Sequence, residues 1–214
     1  MKVLMFGSPK PQISRDYAER RGRLIIAITG SPGVGKTTIS HLLAERLKAH
    51  HIDLSKLALE EGLVEEWDEE RDTAIVDIKA VKRRVERLQR RYGRLIIEGH
   101  YAHDVAPKGS WIFVLRRAPW RLRDELEERG YDAGKVRENV EAELLDICLS
   151  EAIETHGSGR VHEVDTTDKT PQEIVEEIYE VLRGVRPPRI GVVDWLGRPE
   201  AKQLLEWLED VSHR

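Results

Sequence analysis

Amide side chains are almost missing from this chain of 214 residues: Asn occurs once and Gln four times, against 24 Arg. Proteins built for heat avoid labile amides and favour charge networks, which cost less to desolvate when hot, so a thermophilic source is expected. Cysteine is nearly absent too. The lone Cys148 excludes a disulfide framework and a four-cysteine zinc site, and its apolar, helical surroundings fit a buried thiol without chemistry. No apolar run is long enough to span a membrane, and the four apolar residues after Lys2 are too few for a signal-peptide core. A cytoplasmic, monomeric protein with no membrane partner is expected. Neither sign of charge dominates: 35 Lys and Arg against 39 Asp and Glu leave a net charge of −4. That balance argues against a protein that coats nucleic acid over a whole face, and leaves only local patches.

What is present is an alternation of short apolar runs and amphipathic stretches. Leu24–Thr29, Leu95–Glu98, Trp111–Leu115 and Val161–Asp165 read as buried parallel strands, with His51–Leu54 a shorter one. Helical spacing predicts Thr37–Ala49, Ser55–Gly62 as a turn, a basic helix over 79–94, Pro119–Arg129, Lys135–Thr155 and Pro199–Val211. Thr170-Pro171-Gln172-Glu173 announces another helix, as a capping box with proline in first position. Strands alternating with helices predict an α/β fold, a parallel sheet covered on both faces, with ligand beyond the carboxyl ends of the strands. Three regions follow: a basic arm at 1–22, a domain at 23–184, and a stiff Arg186-Pro187-Pro188 linker with a final helix at 185–214. Val193-Asp194-Trp195-Leu196 is expected to pack on the domain, since an exposed Trp beside Leu is an apolar liability.

Gly30-Ser31-Pro32-Gly33-Val34-Gly35-Lys36-Thr37 is a complete P-loop between an apolar strand and an amphipathic helix. Gly30, Gly33 and Gly35 let the backbone bend and aim its N–H groups inward, and the helix dipole adds positive charge. In that pattern Lys36 neutralises the β and γ phosphates of ATP, Thr37 ligates Mg2+ and Thr38 reaches the α phosphate. No Asn-Lys-x-Asp run reads guanine. Two arginines instead occupy telling places, Arg116 at the end of a strand and Arg129 at the break between two helices. Arginines that swing onto the moving group are the main aid to phosphoryl transfer; the plain alternative for each is a solvated surface residue.

At these residues the chain resembles a family. GSPGVGKTT at 30–38, WDEERD at 67–72, IIEGH at 96–100, LRR at 115–117, LEERGY at 126–131, KVRENVEAE at 135–143 and VDTT at 164–167 resemble the adenylate kinase isoenzyme 6 family, over roughly 24–184. The resemblance implies a P-loop NTPase fold of the nucleoside monophosphate kinase kind, with a monophosphate-binding region at 53–76 and a short lid at 128–138. It implies ATP plus AMP giving two ADP, with slow ATP hydrolysis. Gly33, Gly35, Lys36, Thr37, Thr38 and Arg129 would then bind ATP. The AMP phosphate is already an anion, so no general base is needed. The alternative implied role is an ATPase factor in small-ribosomal-subunit assembly, acting through a ribosomal platform protein and pre-rRNA.

The chain departs from the family at two places. Glu98-Gly99-His100 stands where the family often has Asp-x-His, so Glu98 reaches Mg2+ directly or through a water. No arginine lies between Leu47 and Glu70 to grip the acceptor, which leaves Asp53, Lys56 and Arg71 as acceptor-site candidates. His100 has three readings: a phosphate- or water-positioning residue, a metal ligand with His103 and Asp104, or a structural hydrogen-bonding group. The basic run 79–94 reads as a solvated face or as a partner surface, and the acidic run 60–72 as a match for a basic tail.

Overall fold

The parallel sheet forms around the most apolar of these runs. In the structure, a computed structural model that describes residues 24–68 and 73–211, β1 (Leu24–Thr29) is the middle strand. The others are β2 (His50–Asp53), β5 (Arg94–Glu98), β6 (Trp111–Arg116) and β7 (Val161–Asp165), in the order β2–β5–β1–β6–β7, all parallel. Alternate residues of β1 serve opposite layers. Ile26 and Ile28 join one apolar cluster, Ile25 and Ala27 the other. Register aligns the strand ends: Ile28 lies opposite Glu98 and Phe113, Asp53 opposite Glu98, and Arg116 opposite Asp165. Polar groups at four strand ends therefore face one edge of the sheet.

The helices are α1 (Lys36–Leu47), α2 (Leu54–Glu60), α3 (Ile78–Tyr92), α4 (Ala102–Val105), α5 (Pro119–Glu128), α6 (Ala133–Leu144), α7 (Ile147–His156), α8 (Pro171–Leu182) and α9 (Glu200–Val211). Most starts have a chemical cause. Asp53, Asp77 and Asp132 each accept a backbone N–H at a first turn, and Thr170 with Glu173 closes a full capping box. The basic helix α3 buries Val81, Val85 and Leu88 and leaves its cations outside.

Two elements differ from expectation. The acidic stretch after residue 60 holds a small antiparallel hairpin, β3 (Val64–Asp68) with β4 (Thr73–Val76). Its strands are short, largely exposed and shifted in register between Val64 and Glu66, so no clean alternation marks them. The helix expected over 135–155 breaks at Asp146, whose φ of 58° is left-handed. Asp146 begins α7 without capping it, because its carboxylate pairs with Arg116. The chain beyond α8 returns along β7: Glu163 N–H donates to the Arg189 carbonyl at 2.8 Å, and Val192 N–H to the Glu163 carboxylate at 2.7 Å. This covers a sheet edge that would otherwise be open. Val193 and Trp195 are buried as expected, while Leu196 stays outside. The arm at 1–22 and Arg71 lie outside the described residues. No helix among the described residues is long and apolar enough to cross a membrane.

Candidate functional site

The loop between β1 and α1 wraps a cleft of about 350 Å³. Gly30 (φ 132°) passes so close to β6 that a Cβ there would lie 2.3 Å from the Leu115 carbonyl oxygen. Gly35 (φ 97°) begins α1, and a Cβ on it would meet no atom within 4 Å. The loop is thus tight against the sheet on one side and open on the other, the shape a phosphate chain fills. Lys36 Nζ donates to the Gly30 and Ser31 carbonyls, each at 2.9 Å. Burial lowers its pKa from the ordinary lysine value, opposed by Cys148 and Glu98. An anion in the cleft would offset that burial.

Pro32, Gly33, Gly35, Lys36, Thr37 and Thr38 line the cleft from the P-loop side. Asp53, Ser55, Glu98, Gly99 and His100 line it from the ends of β2 and β5, and Arg129 and Tyr131 from the turn between α5 and α6. Arg129 is exposed and has no ion pair among the described residues. Thr37 Oγ1 donates to Glu98 Oε2 at 3.2 Å. The other oxygen, Glu98 Oε1, is buried without a hydrogen bond; the His51 ring nitrogen Nε2 lies 3.4 Å away and is unbonded too. A hydroxyl beside an unsatisfied carboxylate oxygen fits Mg2+, which keeps most of its waters and takes few protein ligands.

His100 sits on the cleft wall, where lost hydration, Lys36 and His103 push its pKa down to about 4. It is neutral at pH 7. His103 is buried against the Thr29 hydroxyl at 3.0 Å, while that hydroxyl donates to the His100 carbonyl at 2.9 Å. Among the described residues no group of three His, Cys, Asp or Glu could hold a metal ion, so the metal reading of His100, His103 and Asp104 falls. Burial pushes the Cys148 thiol up to about 11, which keeps it unreactive.

Two expectations are corrected. Arg116 does not enter the cleft. Its side chain is 1% exposed and is spent on carboxylates: Nε donates to Glu143 at 2.7 Å, Nη1 to Glu163 at 2.7 Å, and Nη2 to Asp146. Burial would lower its pKa, but Glu143 and Asp146 reverse the shift and hold it above the ordinary value. A guanidinium so bound is a structural cation. Lys56 also stays away: its side chain is 70% exposed, 3.7 Å from Glu60, while its backbone N–H donates to Asp53 at 3.0 Å. Of the two acceptor candidates among the described residues, Asp53 and Lys56, Asp53 reaches the cleft.

Sequence reasoning missed Ser55, Tyr131 and the His51–Glu98 contact. It also missed Ser31, whose hydroxyl donates to the buried Glu143 at 2.8 Å. The P-loop pattern accepts any residue at that position, so no signal marked it.

Residues 26–146 match the family described as an AAA domain. The chain is 40% identical over 170 residues to a Methanocaldococcus jannaschii protein named "Putative adenylate kinase", covering 79% of this chain and 92% of that one. A Pyrococcus abyssi protein of the same name is 45% identical over 177 residues, with coverages of 80% and 91%. In fold, the chain is similar to shikimate kinase from Acinetobacter baumannii (TM-score 0.56, 15% identity, 78% of this chain and 96% of that one). The architecture is the P-loop, nucleoside monophosphate kinase-like α/β fold expected from the sequence.

Proposed function

The chain belongs to the AAA domain family and to the family of archaeal proteins named "Putative adenylate kinase", and we propose that it is an adenylate kinase of the isoenzyme 6 kind. The reaction is ATP plus AMP giving two ADP, with a slow transfer to water. The observation that carries this reading is one cleft lined by a P-loop, strand-end carboxylates and the unpaired Arg129.

Each group has a chemical task. Lys36 exchanges two carbonyl partners for the β and γ phosphates. Thr38 and the loop N–H groups hold the rest of the chain. Thr37 and Glu98 would hold Mg2+, which would neutralise phosphate charge; His51 lies 3.4 Å from the far oxygen of Glu98. Arg129 swings in from the α5–α6 turn onto the charge that spreads over the moving group. Neutral His100 positions an acceptor oxygen by hydrogen bonding without repelling a neighbouring cation. The acceptor occupies the Asp53–Ser55 side of the cleft. An AMP phosphate oxygen forms the new bond to the γ phosphorus as the bond to the β-bridging oxygen breaks. ADP leaves already ionised, so no proton has to move.

A second role, ATP-driven assembly work on the small ribosomal subunit through a platform protein and pre-rRNA, draws support from α3. Its solvent face carries Lys79, Arg83, Arg87, Arg90 and Arg91, all exposed, with Arg90 4.0 Å from Glu86 of the same helix. One assay separates the readings: protein, Mg2+ and ATP with and without AMP, following ADP and inorganic phosphate. Fast ADP formation only with AMP supports the kinase. Slow phosphate release indifferent to AMP removes it and leaves an ATPase. CMP, UMP, GMP and shikimate as acceptors define the specificity.

A further inference from the structure

The buried carboxylate of Glu143 joins parts of the chain that are far apart in sequence. Its Oε2 accepts the Ser31 hydroxyl of the P-loop at 2.8 Å. Its Oε1 accepts Arg116 Nε at 2.7 Å, the Arg117 N–H at 3.2 Å and the indole N–H of Trp195 at 3.2 Å. Burial pushes the acid up from its usual range, with Arg116 opposing. Every neighbour is a donor, so the carboxylate is the form that fits. Trp195, 4% exposed, also meets the ring of Trp120 edge-on at 5.7 Å. Trp120 lies in α5 and Glu143 in α6, the two helices that flank Arg129. On the other side, the carbonyl of Ser31 is one of the two that hold Lys36. The segment after α8 is therefore two hydrogen bonds from the phosphate loop and touches the roots of both helices beside it.

We propose that Trp195 is a positioning residue for the phosphate loop: its N–H, through Glu143, fixes Ser31 and with it the carbonyls that seat Lys36. The C-terminal segment is then part of the nucleotide site, although it contributes no atom to the cleft. A packing role alone would use the ring and not the N–H. Pointing the N–H at an already ion-paired carboxylate fixes which way both oxygens face, and one of those oxygens is the Ser31 acceptor. The proposal rests on the nucleotide-binding reading above.

The test is a double-mutant cycle on Trp195→Phe and Ser31→Ala. Phe keeps an aromatic ring against Trp120 and loses the donor; Ala cuts the other end of the link. Mg-ATP affinity is read by calorimetry, with kcat and KM alongside. Each single variant is expected to weaken binding about fivefold to tenfold while kcat changes less than about twofold, and the double variant to be no weaker than the worse single. A second measurement does not depend on how Trp195→Phe folds: Ser31→Ala should shift the Trp195 indole N–H resonance, although the two side chains bond different oxygens of Glu143. Unaltered Mg-ATP affinity in a folded Trp195→Phe, effects that simply multiply, or an unmoved Trp195 resonance in Ser31→Ala each overturn the proposal. Absence of heat with the wild-type protein instead defeats the nucleotide reading itself.

Discussion

Replacing Arg116 by Met separates two accounts of a strand-end arginine. In the structure this side chain is 1% exposed and neutralises carboxylates from α6, β7 and the start of α7. Met keeps an unbranched apolar stem but carries no charge, so Glu143 and Glu163 would be left buried without their cation. Removing one partner of a buried pair costs about 3–5 kcal/mol. For a domain of this size each kcal/mol is worth roughly 2–4 °C of Tm, so the fall should be about 6–20 °C. Thermal and urea denaturation measure it. Turnover, assayed well below the lowered Tm, should fall less than about tenfold, because the guanidinium does not line the cleft. A transition-state arginine behaves in the opposite way, losing about a thousandfold in rate with little change in melting. A folded Arg116→Met protein with near-native Tm and thousandfold lower turnover would refute the reasoning.

Three other outcomes follow from the same structure. Lys36→Ala should lower turnover by at least about 100-fold, since it removes a charge aimed at the phosphates; steady-state ADP formation measures this. Gly30→Ala should disrupt the turn from β1 into the P-loop, because its Cβ would lie 2.3 Å from the Leu115 carbonyl at a φ of 132°; melting together with nucleotide affinity checks it, and native values for both would contradict it. Burial would raise the Glu177 pKa, but bonds from His162 and Lys169 take it down to about 2 from an ordinary 4.5. The unfolded state therefore binds the proton first on acidification. The added stability, on the order of 1–2 kcal/mol after solvent screening, is present above about pH 4.5 and is lost as the pH falls toward 2. Glu177→Gln should flatten that part of the acid-denaturation curve.

The sheet was legible because its three middle strands, β1, β5 and β6, are apolar runs that stand out against a highly charged background, and because α8 carries its start signal in the side chains of Thr170 and Glu173. The P-loop was legible for a different reason. Anion binding by backbone requires glycines at fixed spacing, and that spacing survives in one dimension. The hairpin β3–β4 was hidden, since its residues face solvent and hydrophobic periodicity records only burial. Asp146 was hidden as well. The residues around it are spaced like a continuous helix, and what breaks the helix is an arginine thirty positions earlier. Arg116 itself was misread, because a charged residue at a strand end near a P-loop suggests transfer chemistry. Only the carboxylates gathered around it in three dimensions reveal its role. The link from Ser31 to Trp195 belongs to the same class: partners 112 and 52 residues apart along the chain meet at Glu143, and no local pattern encodes that meeting.

In the proposed reaction a phosphoryl group passes from ATP to a monophosphate in this cleft. Its most direct test is to mix the full-length protein with Mg2+, ATP labelled at the γ phosphorus and excess AMP, and to find where the label goes. The label should appear as the β phosphate of ADP, with little inorganic phosphate. Label released only as inorganic phosphate, at a rate that AMP leaves unchanged, would contradict it.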